Sequence, residues 1–168
     1  MPAGRPETGG PARRFRPPDL AACLAIFDGN VPAFFAASEQ PTFEAYLERP
    51  PDHYLVVAND EHVIVAWGGY RLVPQERLAK LRWGMVAWRH HHRGWGRRLL
   101  RIRLRAIATA PDIERVTVAT SSSAAGFYLR EGFVEVRRQV DGILRGIDAI
   151  WLALELSDPL REMLRQEA

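Results

Sequence analysis

Cysteine is all but missing from these 168 residues: Cys23 stands alone, which excludes an internal disulfide and any metal cluster built on cysteine. Its flanks, LAACLAIF, read as a helix core, so the thiol is a small hydrophobe rather than a nucleophile. Lysine is as scarce, with Lys80 the only one. Apolar runs are short, none approaching the ~18 residues of a membrane span, and the amino-terminal stretch lacks the apolar segment of a signal peptide. A cytoplasmic protein with no membrane partner is therefore expected. Basic and acidic residues nearly balance, 23 against 20, and a net charge of +3 makes no demand for nucleic acid.

A hydrophobic content of 47% over this length supports one core and one domain. Residues 1–13 hold three prolines and three glycines and read as a disordered tail. The folded domain is expected over residues 14–157, with 158–168 as an amphipathic C-terminal extension. Asp19 can cap a helix whose Leu20, Cys23, Leu24 and Phe27 share a face and which stops at Gly29-Asn30. A second helical stretch over residues 41–47 is stopped by Pro50-Pro51. The period then shortens: residues 54–58 and 62–67 read as strands joined by a turn at 59–61, and a third strand is expected over 79–88. From Gly96 a helix puts Leu100, Leu104 and Ile107 on one side. A strand at 115–119, a helix at 122–130, and strands at 133–136 and 149–154 turning near Asp141-Gly142 complete an α/β pattern.

The stretch between the third strand and the long helix carries the chemistry. Backbone N–H groups opening a helix have no intrahelical partner and sit at the positive end of its dipole, which suits an anion. Gly94 and Gly96 allow close backbone approach, and Arg93 and Arg97 add charge there. A tight strand-to-helix turn would need such glycines too, so this loop alone leaves both readings open.

Val86, Gly94 and Gly96 match the pattern Val-x-x-x-x-(Arg/Gln)-x-x-Gly-x-(Gly/Ala), and residues 121–133, SSSAAGFYLREGF, match Asn-x-x-Ala-x-x-Phe-Tyr-x-x-x-Gly-Phe. In this order and separation the two stretches resemble the GNAT N-acetyltransferase superfamily over most of the chain. The resemblance implies a mixed, splayed β-sheet of about six or seven strands flanked by about four helices. It also implies an enzyme that moves the acetyl group of acetyl-CoA to an amine and releases coenzyme A, with a homodimer compatible with it. Val86, Ala87 and Trp88 would face the pantetheine arm. His91, His92, Arg93, Gly94, Trp95, Gly96 and Arg97 would hold the pyrophosphate, with Ser121 and Ala124 on the second motif, and Tyr128 would stand near the thioester sulfur. Two positions depart from the pattern: His91 replaces Arg/Gln and Ser121 replaces Asn, each keeping a hydrogen-bonding side chain.

Other residues carry competing readings. Three consecutive histidines, His90 to His92, point in divergent directions on either a strand or a helix, so no metal site is read there. Glu39 is the candidate base for deprotonating an amine, against its reading as a solvated carboxylate. Phe34, Phe35, Phe43, Trp67, Tyr70 and Trp83 could line an acceptor pocket, although several must be core. Arg98, Arg101, Arg103 and Arg105 read as a solvated stripe rather than a nucleic-acid face. A non-catalytic acyl-CoA-binding module of the same fold is the alternative function.

Overall fold

The β-branched runs and amphipathic stretches resolve, in a computed structural model that describes residues 9–50 and 53–167, into seven strands and five α-helices among those residues. In chain order they are β1 (Ala12–Arg14), α1 (Leu20–Gly29), α2 (Gln40–Glu48), β2 (His53–Ala58), β3 (Ile64–Val73), β4 (Leu78–Val86), α3 (Trp95–Ala108), β5 (Arg115–Ser121), α4 (Ser122–Arg130), β6 (Val134–Leu144), β7 (Ile147–Glu155) and α5 (Asp158–Gln166). The strands form one sheet in the order β1-β2-β3-β4-β5-β7-β6. Only β4 and β5 run parallel, so the sheet is mixed.

Aromatic packing fixes α1 and α2 on one face. Phe43 stacks on Phe27 at 4.9 Å and on Trp67 of β3 at 4.5 Å, and all three are fully buried. Each such ring contributes about 1.5–3 kcal/mol by leaving water. Cys23 lies in the same cluster, where burial pushes its thiol pKa up to about 12. On the other face, Leu100, Leu104 and Ile107 of α3 pack with Leu81, Val116 and Ile150.

The feature that opens the sheet lies in β4. Trp67 pairs with Met85 and Gly69 with Arg82, so Trp83 and Gly84 together oppose Gly68 in a bulge. Trp83 takes a positive φ of 45° there, and a Cβ on Gly68 would stand 2.9 Å from the Cα of Gly84. The bulge bends β4 away from β5. Their pairing ends at Leu81↔Val118, although β4 continues to Val86 and β5 to Ser121.

Several expectations need correction. The tail expected over residues 1–13 contains the start of β1, whose Ala12, Arg13 and Arg14 pair with Val57, Val56 and Leu55. Arg98 donates to the carbonyls of Gly9 and Gly10, at 2.6 and 2.8 Å. Edge pairing uses backbone groups, which a Pro- and Gly-rich composition does not reveal; residues 1–8 lie outside the described residues, as does Pro51. By contrast, the amphipathic stretch expected as a turn or helix at the C-terminus is a helix, α5, with Leu164 fully buried. β4 stops at Val86, and Trp88–His90 form a 3-10 turn. Finally, β6 runs through Asp141, and the hairpin turns at Arg145-Gly146, where Gly146 supplies a φ of 85°.

Nor is the arginine stripe of α3 a solvated face. Arg103 is 1% exposed, Arg101 pairs with Glu131 and Glu167, and Arg105 donates to the Glu167 carbonyl.

Candidate active site

Where β4 and β5 part, a cavity of about 790 Å³ opens. Its walls come from the ends of both strands, the start of α3, the inner face of α4, and the α1–α2 connection. The residues singled out from sequence divide here. Val86, His91, His92, Gly94, Gly96, Arg97, Ser121, Ala124 and Tyr128 line the cavity.

Ala87, Trp88, Arg93 and Trp95 do not line it. The Ala87 amide donates to the Val65 carbonyl at 2.7 Å, continuing the sheet. The Trp88 ring is 58% exposed and lies against Gly29 with Arg89 5.1 Å from its centroid. Trp95 is buried in the cluster of Val57, Val65, Ala66 and Leu99, and contributes to the helix start through its backbone only. Arg93 is exposed on the loop.

The start of α3 opens on the cavity. Gly94 precedes α3 with φ of 88°, a left-handed backbone that a β-carbon would strain, and a Cβ there would meet nothing within 4 Å. A Cβ on Gly96 would instead reach 3.5 Å from Phe127 and 3.8 Å from Val86, so this turn sits between α4 and the end of β4. No acidic residue occupies the first turn, which leaves its amides and dipole uncompensated. Arg97 reaches the cavity rim already paired, its Nε 2.7 Å from Glu131 Oε1.

His91 is tied to the end of β4. A carbonyl can only accept, so the 2.9 Å contact of His91 Nε2 with the Val86 oxygen means that Nε2–H donates. The ring also packs edge-on against Phe34 at 5.3 Å. Asn30, which the sequence marked only as a helix stop, donates through Nδ2 to the same oxygen at 2.9 Å and to Ile26 O at 2.8 Å. It is 3% exposed, lines the cavity, and bolts the end of α1 to the end of β4. No local signal announces a bond spanning 56 residues.

Tyr128, 7% exposed, is held by edge contacts with Phe127 at 5.0 Å and Phe133 at 5.4 Å. Ser121 is 4% exposed, and its Oγ has no hydrogen-bond partner. Among the aromatic set, Phe34, Phe35 and Trp83 line the cavity, whereas Phe43, Trp67 and Tyr70 are buried in the core. Glu39 also lines it, with Oε2 accepting from the Ala36 amide at 2.8 Å. Among the described residues, no group of three histidine, cysteine or acidic side chains converges on a metal position.

The frame of the site is a mixed sheet that parts between β4 and β5, with the start of α3 at the opening. The family model described as an acetyltransferase (GNAT) domain matches residues 50–135, just over half of the chain. The chain belongs to the GNAT family of acetyltransferases. Solved structures share the fold. A GNAT-family protein from Desulfovibrio desulfuricans is 21% identical with a TM-score of 0.72, covering 88% of this chain and 99% of that one. The ribosomal-protein-S18-alanine N-acetyltransferase from Escherichia coli is 20% identical with a TM-score of 0.70, covering 88% and 94%. The spermidine N-acetyltransferase from Vibrio cholerae, in complex with CoA and spermine, is 15% identical with a TM-score of 0.66, covering 86% and 94%. Among curated proteins, none matches this sequence.

Proposed function

We propose that this protein transfers the acetyl group of acetyl-CoA to an amine of a small molecule or peptide. The observation that carries the reading is the shared cavity: the start of α3, with no acidic residue in its first turn, Ser121 and Tyr128 all border one void. Acetyl-CoA supplies an activated acyl thioester and leaves as coenzyme A. The amides of the first turn of α3, with Gly94 and Gly96 giving access and Arg97 at the rim, hold the pyrophosphate. Val86, Ser121 and Ala124 border the pantetheine arm. His91 serves by closing the end of β4 through Val86 O. Tyr128 donates its phenolic proton to the departing sulfur.

An amine of pKa ~10.4 is almost wholly protonated at neutral pH, so its proton must be removed before attack. Glu39 is the candidate, acting through the oxygen that is not spent on Ala36 N. Phe34, Phe35 and Trp83 shape the acceptor end. Cytoplasmic residence and a homodimer belong to the same reading; β6 leaves a sheet edge with Val134, Val136 and Val140 exposed.

Calorimetric titration with acetyl-CoA and thiol release against an amine panel test the proposal. Tyr128→Phe keeps the ring packing, so kcat should fall by roughly tenfold to a few hundredfold while acetyl-CoA affinity stays within about threefold. Unchanged kcat with stability lowered by more than about 2 kcal/mol would make the hydroxyl a structural donor instead. The engagement of Glu39 as a cap favours a second reading, a non-catalytic acyl-CoA-binding module, which predicts stabilisation by acetyl-CoA without turnover of any amine.

A further inference from the structure

Arg103 sits as deep in the core as the leucines around it, at 1% exposure. Its hydrogen bonds to the described residues are both long: Nε to Leu99 O and Nη1 to Gly69 O, each at 3.4 Å. No carboxylate pairs with it among the described residues. Arg161, the other buried arginine, is surrounded by carbonyl acceptors, including Ala108 O at 2.8 Å. Burying a guanidinium with so little compensation carries a large desolvation cost, which a leucine or methionine at the same helix position would not incur.

Its location suggests what the charge is for. A Cβ on Gly84 would stand 2.9 Å from both Nη1 and Nη2, and one on Gly68 would stand 3.1 Å from Nη1. The two glycines of the β4 bulge thus leave the space that the guanidinium fills. Gly84 also lines the cavity, and Leu99, one turn before Arg103 on α3, lines it too. The cation lies directly behind the wall at which β4 leaves β5.

We propose that Arg103 is a positioning residue for acyl transfer, bracing the Trp83-Gly84 bulge from behind and setting fixed positive charge against the cavity wall. The role rests on the acetyltransferase reading. Negative charge grows in the cavity as an acyl group passes from sulfur to nitrogen, and a cation held in low-dielectric surroundings acts on it strongly. A neighbouring carboxylate would cancel that field, and none pairs with Arg103 among the described residues.

The test separates a functional charge from a structural one. Arg103→Met keeps the stem volume and removes the charge. It should leave the melting temperature unchanged or raised, hold the KM for acetyl-CoA within about threefold, and lower kcat by about tenfold or more. Arg103→Lys keeps the charge in nearly the same space and should retain most of kcat, which guards against a trivial folding defect in the methionine variant. Wild-type kcat in Arg103→Met overturns the proposal. So does a kcat loss that comes only with a lower melting temperature and weaker acetyl-CoA binding, or a lysine variant as slow as the methionine one at wild-type stability. Absence of turnover in the wild type would remove the acetyltransferase reading itself, whereas wild-type turnover undiminished in Arg103→Met removes this role alone.

Discussion

Replacing Arg161 by methionine should be the most damaging single change outside the cavity. Arg161 lies on α5 and donates to four main-chain oxygens: Ala108 O at 2.8 Å, Leu156 O at 3.2 Å, Ala110 O at 3.3 Å, and Ile113 O. Ala108 closes α3, so the cation also meets the negative end of that helix. Methionine preserves the packing of the stem but leaves these acceptors without a donor. Each hydrogen bond to a charged group is worth about 1.5–3 kcal/mol, and the longer pair counts for less than the shorter. Allowing for overlap, the loss should be about 3–5 kcal/mol. At about 2–4 °C per kcal/mol for a chain of this size, the melting temperature should fall by roughly 10 °C. Arg161→Lys, with a single compact donor group, should lie between. Urea denaturation followed by circular dichroism gives the free energy directly. A cost below about 1 kcal/mol for Arg161→Met would refute the reasoning, since those carbonyls would then be finding water.

Gly96→Asp should abolish acetyl-CoA binding in calorimetry while the protein stays folded, because its carboxylate would enter between Phe127 and Val86 at the anion position; unchanged affinity removes the cofactor assignment. His91→Gln should leave coenzyme A affinity within about threefold of the wild type, since Nε2 is spent on Val86 O, and a larger loss would restore His91 as a phosphate ligand. The Arg13 guanidinium holds the Asp19 carboxyl below its ordinary pKa. A depressed folded-state pKa gives stability that is present above the unfolded value near ~3.9 and is lost as pH falls through the folded one. Asp19→Asn should thus cost about 1 kcal/mol at neutral pH, where Arg13 remains partly solvated, and little in acid, as read by denaturation at both pH values.

Local chemistry is what the chain states openly. The spacing of Leu100, Leu104 and Ile107 announced α3, residues 122–130 announced α4, and Gly94 and Gly96 marked a helix start that needs a left-handed turn and close approach. The two motifs in register were enough to name the family, because each encodes a short-range backbone requirement. Tertiary structure alone decided which side chains at those positions face the cavity. Trp95 sits in the anion loop by sequence but is drawn into the core by Val57 and Leu99, and His91 gives its proton to Val86 O because α1 and β4 meet there. Asn30 carries no local signature, since its bond to Val86 O joins elements 56 residues apart. Arg103 reads as part of a charged stripe and becomes a buried cation only because two glycines on neighbouring strands leave room beneath a bulge. Periodicity and turn residues act within a few positions of the chain, while burial and partner choice depend on strands that sequence spacing does not bring together.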